Sequence, residues 1–138
     1  MAGGMQRIAK GVVAFRSILP APVYNSLRTT YRKFRKWRDP SAVAARAYVA
    51  AVADNDVLRP NDVLYESFHG KSFNCSPAAI CLALLDDPAY AHLTHIWAVN
   101  DSGVLPKSLT KHRNVRWVKR LTSEYGHALA TAGTLVNN

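Results

Sequence analysis

Between a short β-rich run, DVLYESF (Asp62 to Phe68), and a helix-opening Ser76-Pro77 pair lies, ahead of Cys75, the segment His69-Gly70-Lys71-Ser72-Phe73-Asn74, whose residue types suit a bound anion. Gly70 lets backbone approach a ligand, Lys71 supplies a cation, Ser72 and Asn74 supply hydrogen bonds, and the helix beginning near Pro77 turns its positive end toward them. Ligands of open α/β sheets bind outside the carboxyl ends of strands, which is where this loop falls, so His69, Gly70, Lys71, Ser72 and Asn74 are the candidate phosphate- or substrate-binding residues. An ordinary strand-to-helix turn, with Gly70 providing the backbone geometry and His69 and Lys71 solvated, explains the same residues. Gly70-Lys71-Ser72 is not a nucleotide-binding P-loop, because that motif needs a second glycine five positions earlier, where Tyr65 stands.

No other group of residues adds up to a catalytic constellation. His92, His95, His112 and His127 show no metal-ligand spacing, and no carboxylate near them in sequence makes an acid–base pair. Ser123-Glu124 suits a helix cap, and Asp86-Asp87-Pro88 suits a helix terminator. Cys75 and Cys81 are the only cysteines, too few for a disulfide framework or a four-cysteine zinc site. The expectation is no metal and no cofactor.

The elements that must position the loop follow from the patterning of residues 61–138. DVLYESF is a strand, PAAICLALL a helix, THIWAVN (Thr94 to Asn100) a strand, Val115 to Lys119 a third strand, Ser123 to Thr131 a helix and TLVNN a last strand. The order β-α-β-β-α-β predicts an α/β fold with a largely parallel sheet, the first part of a Rossmann-like domain. Asp39-Pro40 opens an Ala-rich helix to Ala53, and DNDVLRPN (Asp54 to Asn61) is read as a linker, which places a domain boundary near residue 60.

Charge separates the front of the chain from the rest. Residues 1–38 contain nine Lys/Arg and no acidic residue, whereas residues 39–138 contain nine of each, so the whole net charge of +9 lies in the first 38 residues. Val23, Leu27, Tyr31 and Phe34 recur at helical spacing, predicting a helix from Val23 to Trp37 with Arg28, Arg32, Lys33, Arg35 and Lys36 around the rest of its circumference. Aromatics edging an apolar stripe opposite a cationic face suit a helix lying in a bilayer interface, so Arg28, Tyr31, Arg32, Lys33, Phe34, Arg35, Lys36 and Trp37 are the candidate membrane-binding residues, with an anionic membrane surface as partner. The GVVAFRSIL stretch (Gly11 to Leu19) faintly resembles a signal-peptide core but is interrupted by Arg16, and no run reaches the ~18 apolar residues of a spanning helix. The segment 1–60 is thus expected to be a basic, amphipathic, membrane-associating region with a linker. A nucleic-acid-binding module would use the same helix, but the charge-balanced remainder lacks any recognised nucleic-acid motif, which argues against nucleic acid as a partner.

The run VLYESFHGKSFNCSPAAICLALLDD (Val63 to Asp87), HIWAVND (His95 to Asp101) and VKRLTSEYGHALATAGTLVNN (Val118 to Asn138) resemble the start of the CDP-glycerol:poly(glycerophosphate) glycerophosphotransferase domain over about residues 61–138. The matching elements are Ser67 to Lys71, Ser76-Pro77, Trp97 and Val136 to Asn138. The resemblance implies a two-lobed GT-B fold whose first lobe, begun here, faces a lipid-linked polyol-phosphate acceptor. The second lobe would bind CDP-glycerol, and the enzyme would build a teichoic-acid-like polymer at the cytoplasmic membrane face as a peripheral protein. The family's Trp-His-Gly motif, with its presumed catalytic base, follows the Asn-Asn element, and no residue of this chain matches it; the same residues would equally serve a non-catalytic membrane-associated interaction protein. The expectation is that the 138-residue chain by itself does not transfer glycerol phosphate, checked by incubating the purified polypeptide with radiolabelled CDP-glycerol and acceptor and looking for polymer-bound label.

Overall fold

The computed structural model describes residues 20–138, and the GVVAFRSIL stretch lies outside them. The chain forms two compact units, one ending at Asp39 and one spanning Pro40–Asn138. In the first, α1 (Ala21–Trp37) carries Pro22 in its opening turn, where a missing N–H costs nothing, and Arg35 and Lys36 in its last turn, beside the negative end of the helix dipole. It extends two residues beyond the expected start. None of its residues is buried: Val23, Leu27, Phe34 and Trp37 are all exposed, and Phe34 stacks on Trp37 at 6.5 Å between ring centroids.

The second unit is built on four parallel strands, β1 (Arg59–Glu66), β2 (Thr94–Val99), β3 (Val115–Lys119) and β4 (Ala132–Asn137), in the order β3-β2-β1-β4. The helix α2 (Pro40–Ala53) precedes them, and with α3 (Cys75–Asp86) and α4 (Ser123–Thr131) they reproduce the expected β-α-β-β-α-β order in residues 59–138. β1 and β2 lie in the middle of the sheet, and the continuous burial of Asp62 to Tyr65 and of His95 to Val99 is what a parallel strand covered on both faces requires. Alternation divides their side chains between two cores. Leu64, Ile96, Ala98 and Val118 pack toward Ala44, Tyr125 and Ala128 of α2 and α4, whereas Val63, Tyr65, Trp97 and Val99 pack toward Ala78 and Cys81 of α3. The β2–β3 connection has no α-helix; Leu105, which ends one single-turn helical segment, and Leu109, which begins another, close that part of the second core.

The compact unit begins twenty residues before the expected boundary near residue 60, since α2 packs along α4 rather than belonging to a leading attachment segment. The cause is a stripe of small residues. Ala44 and Ala51 are buried, and Gly126 allows backbone contact: a Cβ there would lie 2.1 Å from the Ala44 carbonyl oxygen and 3.0 Å from the Ala47 methyl. Alanine richness, a mark of helix propensity, also marks close helix–helix approach. Chain order then runs β1, β2, β3 outward in one direction and returns to β4 on the far side of β1, which puts the topological switch point between β1 and β4.

Gly126→Ala is expected to destabilise the fold by about 3 kcal/mol, because a methyl group meeting backbone cannot be accommodated by a rotamer change. Chemical denaturation of the two chains by circular dichroism measures the difference; equal midpoints would contradict the packing of α2 on α4.

Candidate functional site

At the carboxyl end of β1 the chain makes an unusual turn. Phe68, His69 and Gly70 have φ values of 45°, 55° and 73°, three consecutive left-handed residues of which only the last is glycine. Each non-glycine residue held this way costs on the order of 1 kcal/mol or more, so the surroundings must over-determine the turn. They do so from three directions. Gly70 N–H donates to the Ser67 carbonyl at 2.9 Å, and Lys71 N–H to that of Phe68 at 3.3 Å. Asn100, just past β2, donates its backbone N–H to the Gly70 carbonyl at 2.9 Å and its side-chain amide to the His69 carbonyl at 3.0 Å. Asn138, just past β4, accepts the Phe68 N–H at 3.3 Å. Gly70 is required by space as well as by φ, since a Cβ would lie 3.1 Å from Val99 Cα, Asn100 N and Arg120 Cδ.

Beneath the turn sits Glu66, the last residue of β1, its side chain only 15% exposed. Oε1 accepts a 2.9 Å hydrogen bond from Arg120 Nε and lies 3.7 Å from His69 Nδ1, while Oε2 accepts a 2.6 Å bond from the Tyr125 hydroxyl of α4. Burial, with the bond to Glu66 and its charge, pushes the Tyr125 hydroxyl up to about 12 against the opposing pull of Arg120, so the phenol stays protonated and remains a donor. One carboxylate thereby joins β1, the end of β3, α4 and the turn.

The five loop residues expected to bind a ligand do not all face one point. The His69 side chain is 74% exposed above Glu66, and Lys71 is exposed. Gly70 is buried in the turn. Ser72 Oγ is buried without a hydrogen-bond partner among the described residues. Asn74 spends its side chain on the Cys75 N–H as the N-cap of α3, two residues ahead of the expected Ser76 cap. The fold brings in Glu66, Asn100, Arg120 and Tyr125, which sequence reasoning passed over; their only sequence signal is that each of the first three stands at or just beyond the end of an apolar strand.

Among the described residues no group of three or more His, Cys, Asp or Glu side chains is placed to hold a metal ion. His127 differs from expectation: Asp56, from the loop after α2, lies 3.0 Å from its Nε2, a carboxylate partner invisible in sequence because the two are joined only by folding. The helix there is capped by Thr122, whose hydroxyl accepts the Tyr125 N–H, rather than by Ser123-Glu124. Asp87 does act as a stop, accepting the Ala89 N–H at 2.9 Å. His95 is fully buried, its Nδ1 2.9 Å from the Tyr65 hydroxyl and 3.8 Å from Cys81 Sγ, and Nε2 has no hydrogen-bond partner among the described residues. Burial, with a smaller contribution from His112, depresses its basicity, while burial raises the Cys81 thiol, so both stay neutral and serve packing.

A family model described as CDP-Glycerol:Poly(glycerophosphate) glycerophosphotransferase matches residues 46–138. The solved structure of the wall teichoic acid polymerase TagF, in a histidine-to-asparagine variant, is similar at a TM-score of 0.58 and 26% identity, covering 83% of this chain and 26% of that one. A TagF structure soaked with CDPG for 30 minutes gives the same TM-score and identity, covering 83% and 27%. The chain thus spans about a quarter of the length of the solved structures it matches. No curated protein sequence matches it.

Because the folded state holds His95 neutral and the unfolded state protonates it near the usual ~6.5, its contribution to stability is full above that value and is lost as pH falls below it, with a slope of up to ~1.4 kcal/mol per pH unit. Thermal melts from pH 8 to pH 5 are expected to show a smaller acid loss in His95→Gln than in the parent chain; parallel curves would contradict this.

Proposed function

The chain belongs to the CDP-glycerol:poly(glycerophosphate) glycerophosphotransferase family, and from this we propose that it is the front part of an enzyme that transfers polyol phosphate from a CDP-activated donor to a lipid-linked, teichoic-acid-like polymer at the cytoplasmic face of the membrane. The family match over residues 46–138 is the observation that carries this reading. In a two-lobed GT-B arrangement this unit contributes the acceptor-facing lobe, and CDP-glycerol is held with a second lobe. The loop at the switch point suits the acceptor. A polyol-phosphate chain carries one negative charge per repeat, and the exposed Lys71 and His69 stand over a turn rigid enough to receive it without reordering.

Attachment to the membrane falls to α1. Among the described residues no helix is long and apolar enough to cross a bilayer, and we propose that α1 lies in its interface. Four exposed apolar side chains, Val23, Leu27, Phe34 and Trp37, share one helix with Arg28, Arg32, Lys33, Arg35 and Lys36, and Arg38 lies over the Phe34 ring at 5.5 Å. Each cation adds about 1 kcal/mol at an anionic leaflet, enough together for reversible binding beside a membrane-tethered acceptor.

Sedimentation with anionic and neutral liposomes over a salt series tests the reading. The expected result is salt-sensitive binding to anionic vesicles only, lost when Arg28, Arg32, Lys33, Arg35 and Lys36 are all changed to Gln. Absence of vesicle binding, with tight salt-dependent binding to nucleic acid instead, would overturn it.

A further inference from the structure

Arg120 is not part of the loop motif, yet its placement is closely constrained. It is the first residue past β3, with its N–H bonded to the Val99 carbonyl at 2.8 Å, so it stands at the same sheet edge as the turn after β1. Its Cδ packs against Gly70, its guanidinium carbon lies 6.0 Å from the centre of the Tyr125 ring, and its side chain is 21% exposed.

The way it meets Glu66 is informative. A guanidinium that served only to neutralise a carboxylate would present two nitrogens of its fork, the bidentate geometry that gives such pairs their strength. Here Nε alone makes the hydrogen bond, and Glu66 Oε2 is taken by Tyr125 instead. Nε is the atom that meets Glu66, at 2.9 Å, so the inner part of the fork is fixed while the terminal nitrogens lie beyond it on a side chain that is 21% exposed. Nearby charge favours an anion: Glu66 is offset by Arg120 itself, and Lys71 adds a positive charge on the same loop.

Resting on the reading that this loop receives polyol phosphate, we propose that Arg120 is an anion-binding residue of the site, presenting its two terminal nitrogens to a phosphoryl group, with Glu66 and Tyr125 as its positioning residues. A planar fork can grip two oxygens of one phosphoryl group, which the point charge of a lysine cannot. Phosphate at the end of a chain and phosphodiester within it share this chemistry, and the ligands below distinguish them.

The test is titration of the isotopically labelled chain with glycerol 3-phosphate, with glycerophosphoglycerol as the diester, and with glycerol as the uncharged control, followed by amide and arginine Nε–H resonances. Binding of a phosphorylated ligand with shifts at Gly70, Lys71 and the Arg120 Nε–H is expected. Arg120→Lys, which keeps the charge facing Glu66, is expected to weaken it about tenfold, while Arg116→Lys, on the same strand but paired with Asp62 and Glu124, leaves it unchanged. If Arg120→Lys does not fold, Tyr125→Phe, which keeps both charges but releases the positioning bond, is expected to weaken binding by a smaller factor. Equal binding by the parent and a folded Arg120 or Tyr125 variant, with the loop resonances still shifting, would overturn the role of Arg120 and leave the loop site standing. No shift in the parent chain with either phosphorylated ligand would overturn both.

Discussion

A carboxylate at the end of a buried strand must be answered by donors, and in this unit the answer organises the whole sheet edge. Glu66 is too enclosed for water to solvate it fully, and an uncompensated charge in that position is strongly destabilising. Its donors come from Arg120 beyond β3 and Tyr125 on α4, more than fifty residues away in sequence. Satisfying one charge therefore fixes the end of the edge strand β3, the tilt of α4 and the floor beneath the left-handed turn. The exposed His69 stands on that floor.

The same helix α4 is held from its other side by α2. Gly126 directly follows Tyr125, so the residue that reaches the carboxylate is adjacent to the one that admits the Ala44 backbone. Close helix packing and the polar cluster are thus coupled through one turn of α4. Without α2 the first core would lose one wall, formed by Ala44.

Much of this was legible in the chain. The parallel order followed from apolar runs alternating with capped helices, and β3 and the last helix were expected around Val115 to Lys119 and Ser123 to Thr131, where they lie. What escaped was whatever depends on approach between distant segments. Alanine in α2 signals helix propensity and close packing alike, and only its partner glycine decides between them. The site was half legible for the same reason. His69, Gly70 and Lys71 lie together in sequence, whereas Glu66, Arg120 and Tyr125 meet only once the sheet order is known, and Asn74 looked like a ligand group because N-caps and ligand-binding loops draw on the same residue types.

The turn after β1 also shows how a strained segment can be held ready. Two non-glycine left-handed residues are an unfavourable local choice, yet every bond that maintains them, from Ser67, Asn100 and Asn138, is internal to the unit. A loop maintained only by contacts with a ligand would have to be ordered at each binding event, at a cost in conformational entropy to be subtracted from affinity. Here the turn is ordered during folding, by the same hydrogen bonds that join β1 to the ends of β2 and β4. The switch point of a parallel sheet makes this possible because it is the one place where strands leading in opposite directions from the centre leave their carboxyl ends side by side, with free backbone groups close enough to staple the loop between them.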